Sequence, residues 1–125
     1  MFDHLSLGVR DLSEARRFYD AFFAPLGASV ASEKPGEIAY GPGGTAGLFY
    51  LYPVEGAQVA GLGAHLAFTA ETRAAVDAAY ASAMAHGATA IRVAGPHPDI
   101  APGYYGCVIL DPDGNKLEIV AGTMH

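Results

Sequence analysis

The chain has 125 residues, of which 51% are hydrophobic and 16% are charged, and its formal net charge is −6. This length predicts a single domain that is large enough to bury an apolar core. The acidic balance, without any basic cluster, argues against a protein that binds nucleic acid or anionic membranes. No apolar run approaches the ~20 residues of a membrane span.

The single cysteine, Cys107, excludes an intramolecular disulfide and favours a reducing compartment. The N-terminal sequence also lacks the basic start and the long apolar core of a signal peptide. We therefore expect a cytoplasmic protein.

The first half of the chain predicts one strand, one helix and three further strands. Residues 4–9 alternate between apolar and polar positions, as in a half-buried strand. A helix follows, with Asp11 and Glu14 arranged as a capping box and with Pro25 and Gly27 at its end. Three short strands are predicted near residues 28–32, 37–41 and 46–53.

The second half of the chain predicts the same order of elements. A strand at 64–69 precedes a helix at about 71–86, which Gly87 closes at its C-terminal end. Three more strands are predicted at 88–93, 104–111 and 115–121. The last two form a hairpin around DPDGN, in which Pro112 and Gly114 suit a tight turn.

The two halves can be overlaid with a shift of 61 residues. The overlay pairs His4 with His65, Leu5 with Leu66, Leu7 with Phe68, and Tyr19 with Tyr80. Repeats of this kind predict two similar βαβββ modules, about 1–54 and about 62–122, within one domain spanning residues 1–125.

Three residues stand on the strand faces that turn away from the predicted helices. His4 and His65 open the first strand of each half, and Glu118 lies between the apolar Leu117 and Ile119 in the last strand. If both sheets curve around one cavity, two imidazoles and one carboxylate point into it. This ligand set suits Fe(II), Mn(II), Ni(II) or Zn(II) with positions left open for a substrate. Each of these residues taken alone is more often an ordinary surface or hydrogen-bonded residue, and the prediction of a site depends on all three facing one cavity.

The segments HLSLGVRDLSEARRFY at 4–19, AHLAFTA at 64–70 and LDPDGNKLEIV at 110–120 resemble the vicinal oxygen chelate superfamily. That superfamily includes glyoxalase I, bleomycin-resistance proteins, fosfomycin-resistance thiol transferases and extradiol dioxygenases. The resemblance implies an α+β fold in which two βαβββ modules form a curved mixed-sheet cup around one divalent metal. It also implies that His4, His65 and Glu118 are the metal ligands. Homodimers, sometimes with modules exchanged between chains, are common in the superfamily.

Individual members of the superfamily match this chain to different degrees. Glyoxalase I carries a fourth ligand, a glutamate, where this chain has Tyr50. The fosfomycin-resistance enzymes place a threonine where Ser6 stands, but their phosphonate is held by cations. Since residues 94–106 contain no lysine or arginine, we do not expect a phosphonate substrate. In an extradiol dioxygenase the acid/base group would be His97 or a tyrosine.

The predicted pocket is rich in tyrosine, with Ser6, Tyr50, Tyr52 and Tyr105 as lining residues and with Tyr50 and His97 as candidate catalytic groups. Tyrosines provide apolar area and an orienting hydroxyl, which suits a small oxygenated substrate. We therefore expect a metal-dependent lyase or isomerase that stabilises an oxyanion. The alternatives are an Fe(II) dioxygenase and a metal-free binding protein of the bleomycin-resistance type.

Overall fold

The computed structural model describes residues 1–122, within which the chain forms two helices and eight strands. The helices are α1 (Leu12–Phe23) and α2 (Arg73–Ala85), and a short 3₁₀ turn at Ala24–Leu26 follows α1. The strands are β1 (Leu5–Val9), β2 (Ala28–Lys34), β3 (Glu37–Pro42), β4 (Phe49–Pro53), β5 (Leu66–Ala70), β6 (Thr89–Pro96), β7 (Tyr105–Leu110) and β8 (Lys116–Ala121). Every predicted element is present and in the predicted order.

The strands form two separate four-stranded sheets with the same topology, β1-β4-β3-β2 and β5-β8-β7-β6. In each sheet the first strand of the module runs parallel to the last, and the other pairs are antiparallel. The fold is therefore α+β with two βαβββ modules, which confirms the expectation from the internal repeat.

Local sequence signals account for the helix limits. The Asp11 carboxylate accepts a hydrogen bond from the Glu14 amide at 3.0 Å, and Thr72 caps α2 in the same way through Ala75. Gly27 follows the 3₁₀ turn with a φ of 76°, a conformation that strongly favours glycine. Both predicted helices thus begin and end within a few residues of the expected positions.

One apolar core serves both modules. The α1 residues Phe22 and Phe23 contact Phe68 of the second sheet edge to face, with ring centroids 5.6 and 5.2 Å apart. Phe68 also packs against Phe49 of the first sheet. Because the helix-facing sides of both sheets meet in this core, the opposite sides of the sheets, here called the outer faces, point away from it.

A buried polar network joins the last hairpin to the first module. The Asp111 carboxylate accepts hydrogen bonds from the Tyr19 hydroxyl at 2.6 Å and from the Asp113 and Asn115 amides at 2.9 and 2.8 Å. The Asn115 side chain donates to the Gly8 carbonyl at 3.0 Å. The DPDGN turn therefore forms the last hairpin and also links the second module to the first. No helix in residues 1–122 has the length and apolar character needed to cross a membrane.

Candidate metal centre

Glu118 occupies the outer face of the second sheet. Its neighbours Leu117 and Ile119 are fully buried in the shared core, and strand alternation turns Glu118 to the other side. His65 immediately precedes β5, the strand that pairs with β8 through Ala67 and Glu118. The parallel pairing thus brings the imidazole and the carboxylate together, with His65 Nε2 and Glu118 Oε2 separated by 3.6 Å.

This separation fits two ligands of one metal ion. Two donor atoms that each lie about 2.1 Å from a tetrahedral ion are about 3.4 Å apart. The His65 side chain is 50% exposed, whereas only 11% of the Glu118 side chain is accessible. The pair therefore opens to solvent on the histidine side and is supported by protein on the carboxylate side.

Tyr104 holds the second oxygen of this carboxylate. Its hydroxyl donates a hydrogen bond to Glu118 Oε1 at 2.7 Å. Burial and this hydrogen bond raise the pKa of Tyr104 well above its ordinary value, so the phenol keeps its proton. Oε2 is left facing His65. A donor that orients a carboxylate ligand in this way is typical of metal sites in proteins.

Tyr104 reaches Glu118 because Gly106 leaves room for its ring. A Cβ atom on Gly106 would lie 2.6 Å from the Tyr104 hydroxyl and 2.3 Å from the Ile119 carbonyl oxygen. Gly106 pairs with Val120 across the sheet. Val120 is two residues after Glu118 on β8, so Gly106 and Glu118 belong to the same face of the sheet. The absence of a side chain at this position is thus part of the site.

His97 lies beside this carboxylate support. Its ring packs against Tyr104 with centroids 5.9 Å apart, and Nε2 lies 2.8 Å from the Val93 carbonyl oxygen. Since a carbonyl can only accept, Nε2 carries a proton, and Nδ1 is the basic nitrogen when the ring is neutral. His97 is therefore partly buried next to the site and fixed at one nitrogen.

His4 lies on the other sheet. Its Nδ1 is 2.5 Å from the Asp3 carboxylate, its ring meets Tyr50 at 5.3 Å in an edge contact, and its side chain is 56% exposed. Within residues 1–122 no three His, Cys, Asp or Glu side chains are gathered closely enough to hold a metal. The single chain thus joins His65 to Glu118 and leaves His4 apart.

The predicted pocket residues divide between two environments. Tyr50 and Tyr52 stack in parallel with centroids 6.3 Å apart on the outer face of the first sheet. The Tyr52 hydroxyl donates to Glu37 at 2.9 Å, which raises the pKa of Tyr52. Ser6 lines a cavity of about 210 Å³ together with His65. Both modules therefore contribute groups to the surroundings of the His65 imidazole.

Tyr105 faces the helix side of its sheet. Its hydroxyl donates to Asp77 of α2 at 2.7 Å, and the Arg73 guanidinium lies 4.9 Å above its ring. Strand alternation places it on the face opposite Glu118, whereas Tyr104, just before the strand, lies over Glu118. The structure thus places Tyr104, and not Tyr105, next to the candidate ligands.

Arg92 also lies near the candidate ligands, although no sequence pattern pointed to it. Its register partner is Val108, which also pairs with Glu118, so the three side chains form one row on the outer face. The Arg92 guanidinium forms a two-point ion pair with Asp99, with N–O distances of 3.1 and 2.8 Å. A cation therefore stands beside the site just outside the segment 94–106. Because the strand register shifts on both sides of Arg92, simple alternation does not predict which face its side chain is on.

The family model for the glyoxalase/bleomycin resistance protein/dioxygenase superfamily matches residues 1–119. The chain belongs to this superfamily, which confirms the resemblance seen in its motifs. No protein of curated function matches it.

Solved structures agree with this assignment. A glyoxalase/bleomycin resistance protein from Albidiferax ferrireducens is 29% identical, with a TM-score of 0.83 over 98% of this chain and 99% of that one. A glyoxalase-related enzyme from Fulvimarina pelagi is 21% identical, with a TM-score of 0.72 over 95% and 86% of the two chains. The fosfomycin resistance protein FosX from Mesorhizobium loti is 18% identical, with a TM-score of 0.73 over 99% and 93%. The last two likenesses establish the shared fold alone.

Proposed function

We propose that this protein is a metal-dependent enzyme of lyase or isomerase type that acts on a small oxygenated substrate. The observation that carries the proposal is the pairing of His65 with Glu118 at a separation suited to one metal ion. Tyr104 adds support, because its hydrogen bond orients the carboxylate with one oxygen free. In this proposal Zn, Ni, Mn or Fe(II) is the bound ion, and the cell compartment is the cytoplasm.

The third ligand in this proposal is His4 of the partner subunit in a homodimer. The outer faces that carry His4 and Glu118 both point away from the shared core, so one chain does not close a cup around them. Strands β1 and β5 each end their sheet, and among the described residues neither has a second neighbour. A second copy that covers these edges brings the outer face of its first module over His65 and Glu118. Such an isologous arrangement generates two equivalent sites.

The chain's own residues supply binding and proton transfer. The bound metal would act as a Lewis acid that polarises substrate oxygens. Tyr50, edge-on to His4, lies on the face that would cover the site, where its hydroxyl can position a substrate oxygen. His97 offers Nδ1 as a base close to Tyr104, while Val93 fixes the ring through Nε2.

A metal-free binding protein is the second candidate. It is favoured by the separation of His4 from the other two candidate ligands within one chain. In that case the Tyr50 and Tyr52 rings would form the floor of a small-molecule site. Metal content distinguishes the two functions directly.

The first experiment is elemental analysis of the purified protein after chelation and reloading with each candidate ion. We expect about one ion per chain in the wild type and a loss of the ion in H65A and E118Q. His86 provides a matched control, because it is an exposed histidine that bonds to the Ser82 carbonyl at the end of α2. H86A should keep the full metal content. Absence of stoichiometric metal in folded wild-type protein overturns the enzyme proposal in favour of the binding protein.

A mixing experiment tests whether the site lies between chains. H4A and E118Q homodimers should each lack metal, but a heterodimer of the two regains one intact site from His4 of one chain and His65 and Glu118 of the other. After subunit exchange at equal amounts, about one quarter of the wild-type metal content should return. A mixture that stays free of metal, with exchange verified by mass spectrometry, contradicts a shared site.

Activity screens then define the reaction. Turnover of hemithioacetals of α-keto aldehydes tests the isomerase hypothesis. Turnover of catechols by the Fe(II) form under oxygen tests the dioxygenase alternative. Turnover of catechol alone would replace the proton-transfer reaction with ring-opening oxygenation at the same site.

A further inference from the structure

The loop between β6 and β7, residues 97–104, carries several groups onto the outer face beside Glu118. It closes on itself through backbone hydrogen bonds from His97 to Tyr104 at 3.2 Å and from Ile100 to His97 at 3.0 Å. Its last residue, Tyr104, bonds to Glu118, and its third, Asp99, pairs with Arg92. The Arg92–Asp99 pair therefore stands at a fixed place relative to the candidate metal ligands.

The position of Arg92 follows from the strand register. Arg92 pairs with Val108, and Val108 pairs with Glu118, so Arg92 and Glu118 are two strands apart, about 10 Å between backbones. Side chains in one such row project to the same side of the sheet. A small ligand held at Glu118 therefore has the Arg92 guanidinium within reach across Val108.

The Asp99 carboxylate binds the Arg92 guanidinium with the same geometry that a ligand carboxylate would use. Two nitrogen atoms of Arg92 each contact one oxygen of the Asp99 carboxylate, at 3.1 and 2.8 Å. The Asp99 side chain is 62% exposed, and the Arg92 side chain is 38% exposed. Since exposed ion pairs contribute little free energy, an incoming carboxylate can replace Asp99 at small cost.

We propose that Arg92 is the carboxylate-binding subsite of this protein, with Asp99 as an internal placeholder, and that its substrates are small carboxylic acids. The inference rests on the proposed function, because the metal is taken to hold the substrate's other oxygens. Arg92 supplies one positive charge, which matches a carboxylate better than a phosphonate dianion. The guanidinium fork also selects a planar two-oxygen group.

The test compares two five-carbon acids, 2-hydroxyglutarate and 2-hydroxypentanoate, by calorimetry on metal-loaded protein. Both present the same vicinal oxygens, and only the first carries a distal carboxylate. We expect 2-hydroxyglutarate to bind about two- to five-fold more tightly, which is the range of a partly exposed ion pair. R92Q should abolish this preference. D99N should increase the affinity for 2-hydroxyglutarate about two- to five-fold, because the competing carboxylate is removed.

R16Q is the matched control, since Arg16 also pairs with carboxylates, Asp20 and Glu33, but on α1 away from the site. It should leave the preference unchanged. Equal binding of the two acids, or a preference that survives R92Q, overturns the subsite. Weaker binding in D99N overturns the placeholder role. A protein that takes up no metal fails the proposed function instead, and elemental analysis separates that outcome from failure at Arg92.

Discussion

Replacement of Tyr19 by phenylalanine tests the polar network that joins the two modules. The Tyr19 side chain is fully buried, and its hydroxyl donates to Asp111 Oδ2 at 2.6 Å. The substitution removes this donor and leaves the ring packing of α1 unchanged. Within residues 1–122 the one other donor to Oδ2 is the Asn115 side chain, at 3.0 Å.

The expected loss of unfolding free energy follows from the charge of the acceptor. A hydrogen bond to a charged buried group contributes about 1.5–3 kcal/mol, compared with about 0.5–1.5 kcal/mol for a neutral pair. We therefore expect Y19F to lose about 1.5–3 kcal/mol at neutral pH. Y40F is the matched control, because Tyr40 donates to the half-exposed Asp20 within the first module. Although this acceptor is also charged, water competes for the exposed Asp20 carboxylate, so Y40F should lose about 1 kcal/mol or less.

The effect of Y19F should also depend on pH. Burial raises the pKa of Asp111 above 3.8, and the hydrogen bond from Tyr19 partly opposes this rise. Between 3.8 and the raised pKa the folded protein binds more protons than the unfolded chain, so the Asp111 contribution to stability falls as pH increases through this window. Y19F removes the opposing hydrogen bond and raises the pKa of Asp111 further. The Y19F penalty should therefore be larger at neutral pH than at about pH 4.

Urea unfolding followed by circular dichroism at both pH values measures these free energies. A Y19F penalty equal to that of Y40F would show that the link between modules does not depend on this buried pair. A penalty that grows on acidification would contradict the lowering of the Asp111 pKa by the Tyr19 hydrogen bond.

Three further predictions concern local features of the same chain. G106A should lose about 2 kcal/mol or more of unfolding free energy in urea, because a Cβ atom would displace the Tyr104 hydroxyl from Glu118. G61A is the control and should stay near the wild type, since the nearest atom to its added Cβ would lie 3.7 Å away. T72A should lose about 1 kcal/mol of unfolding free energy through the missing helix cap, and T72S should recover most of it; equal stability of all three proteins would refute the cap. The Cys107 thiol should react with a disulfide reagent at pH 8 only after unfolding, since burial raises its pKa to about 12; rapid labelling of the native protein would contradict this.

The sequence was sufficient to predict the elements because their signals are local. The βαβββ order, the Asp11 cap and the DPDGN hairpin each depend on residues a few positions apart. The fourth strand, predicted from residue 46, begins at Phe49 because the chain first completes a turn bonded from Gly44 to Gly41 and from Thr45 to Pro42. Such boundaries depend on turn geometry that residue pattern does not specify.

The candidate site was only partly predictable. Alternation around Leu117 and Ile119 correctly turned Glu118 away from the core. The repeat paired His65 with His4, whereas the proximity of His65 to Glu118 follows from the pairing of β5 with β8. The predicted pocket included Tyr105, whereas the structure places its neighbour Tyr104 over Glu118. Arg92 was missed, because the register shifts on both sides of it hide the direction of its side chain from simple alternation. Whether His4 joins the other two ligands stays a prediction that depends on a second copy.

By itself the sequence determined the two modules, their helix-facing residues and the face on which each candidate ligand stands, since strand and helix periods act over a few residues. Only the tertiary structure decided how the modules associate. Their helix-facing sides share one core, which turns the outer faces with His4 and Glu118 away from it. This arrangement of the modules depends on contacts between distant segments, such as Phe22 with Phe68 and Tyr19 with Asp111. Such contacts are determined by packing in three dimensions, which the periodicity of a short segment does not specify.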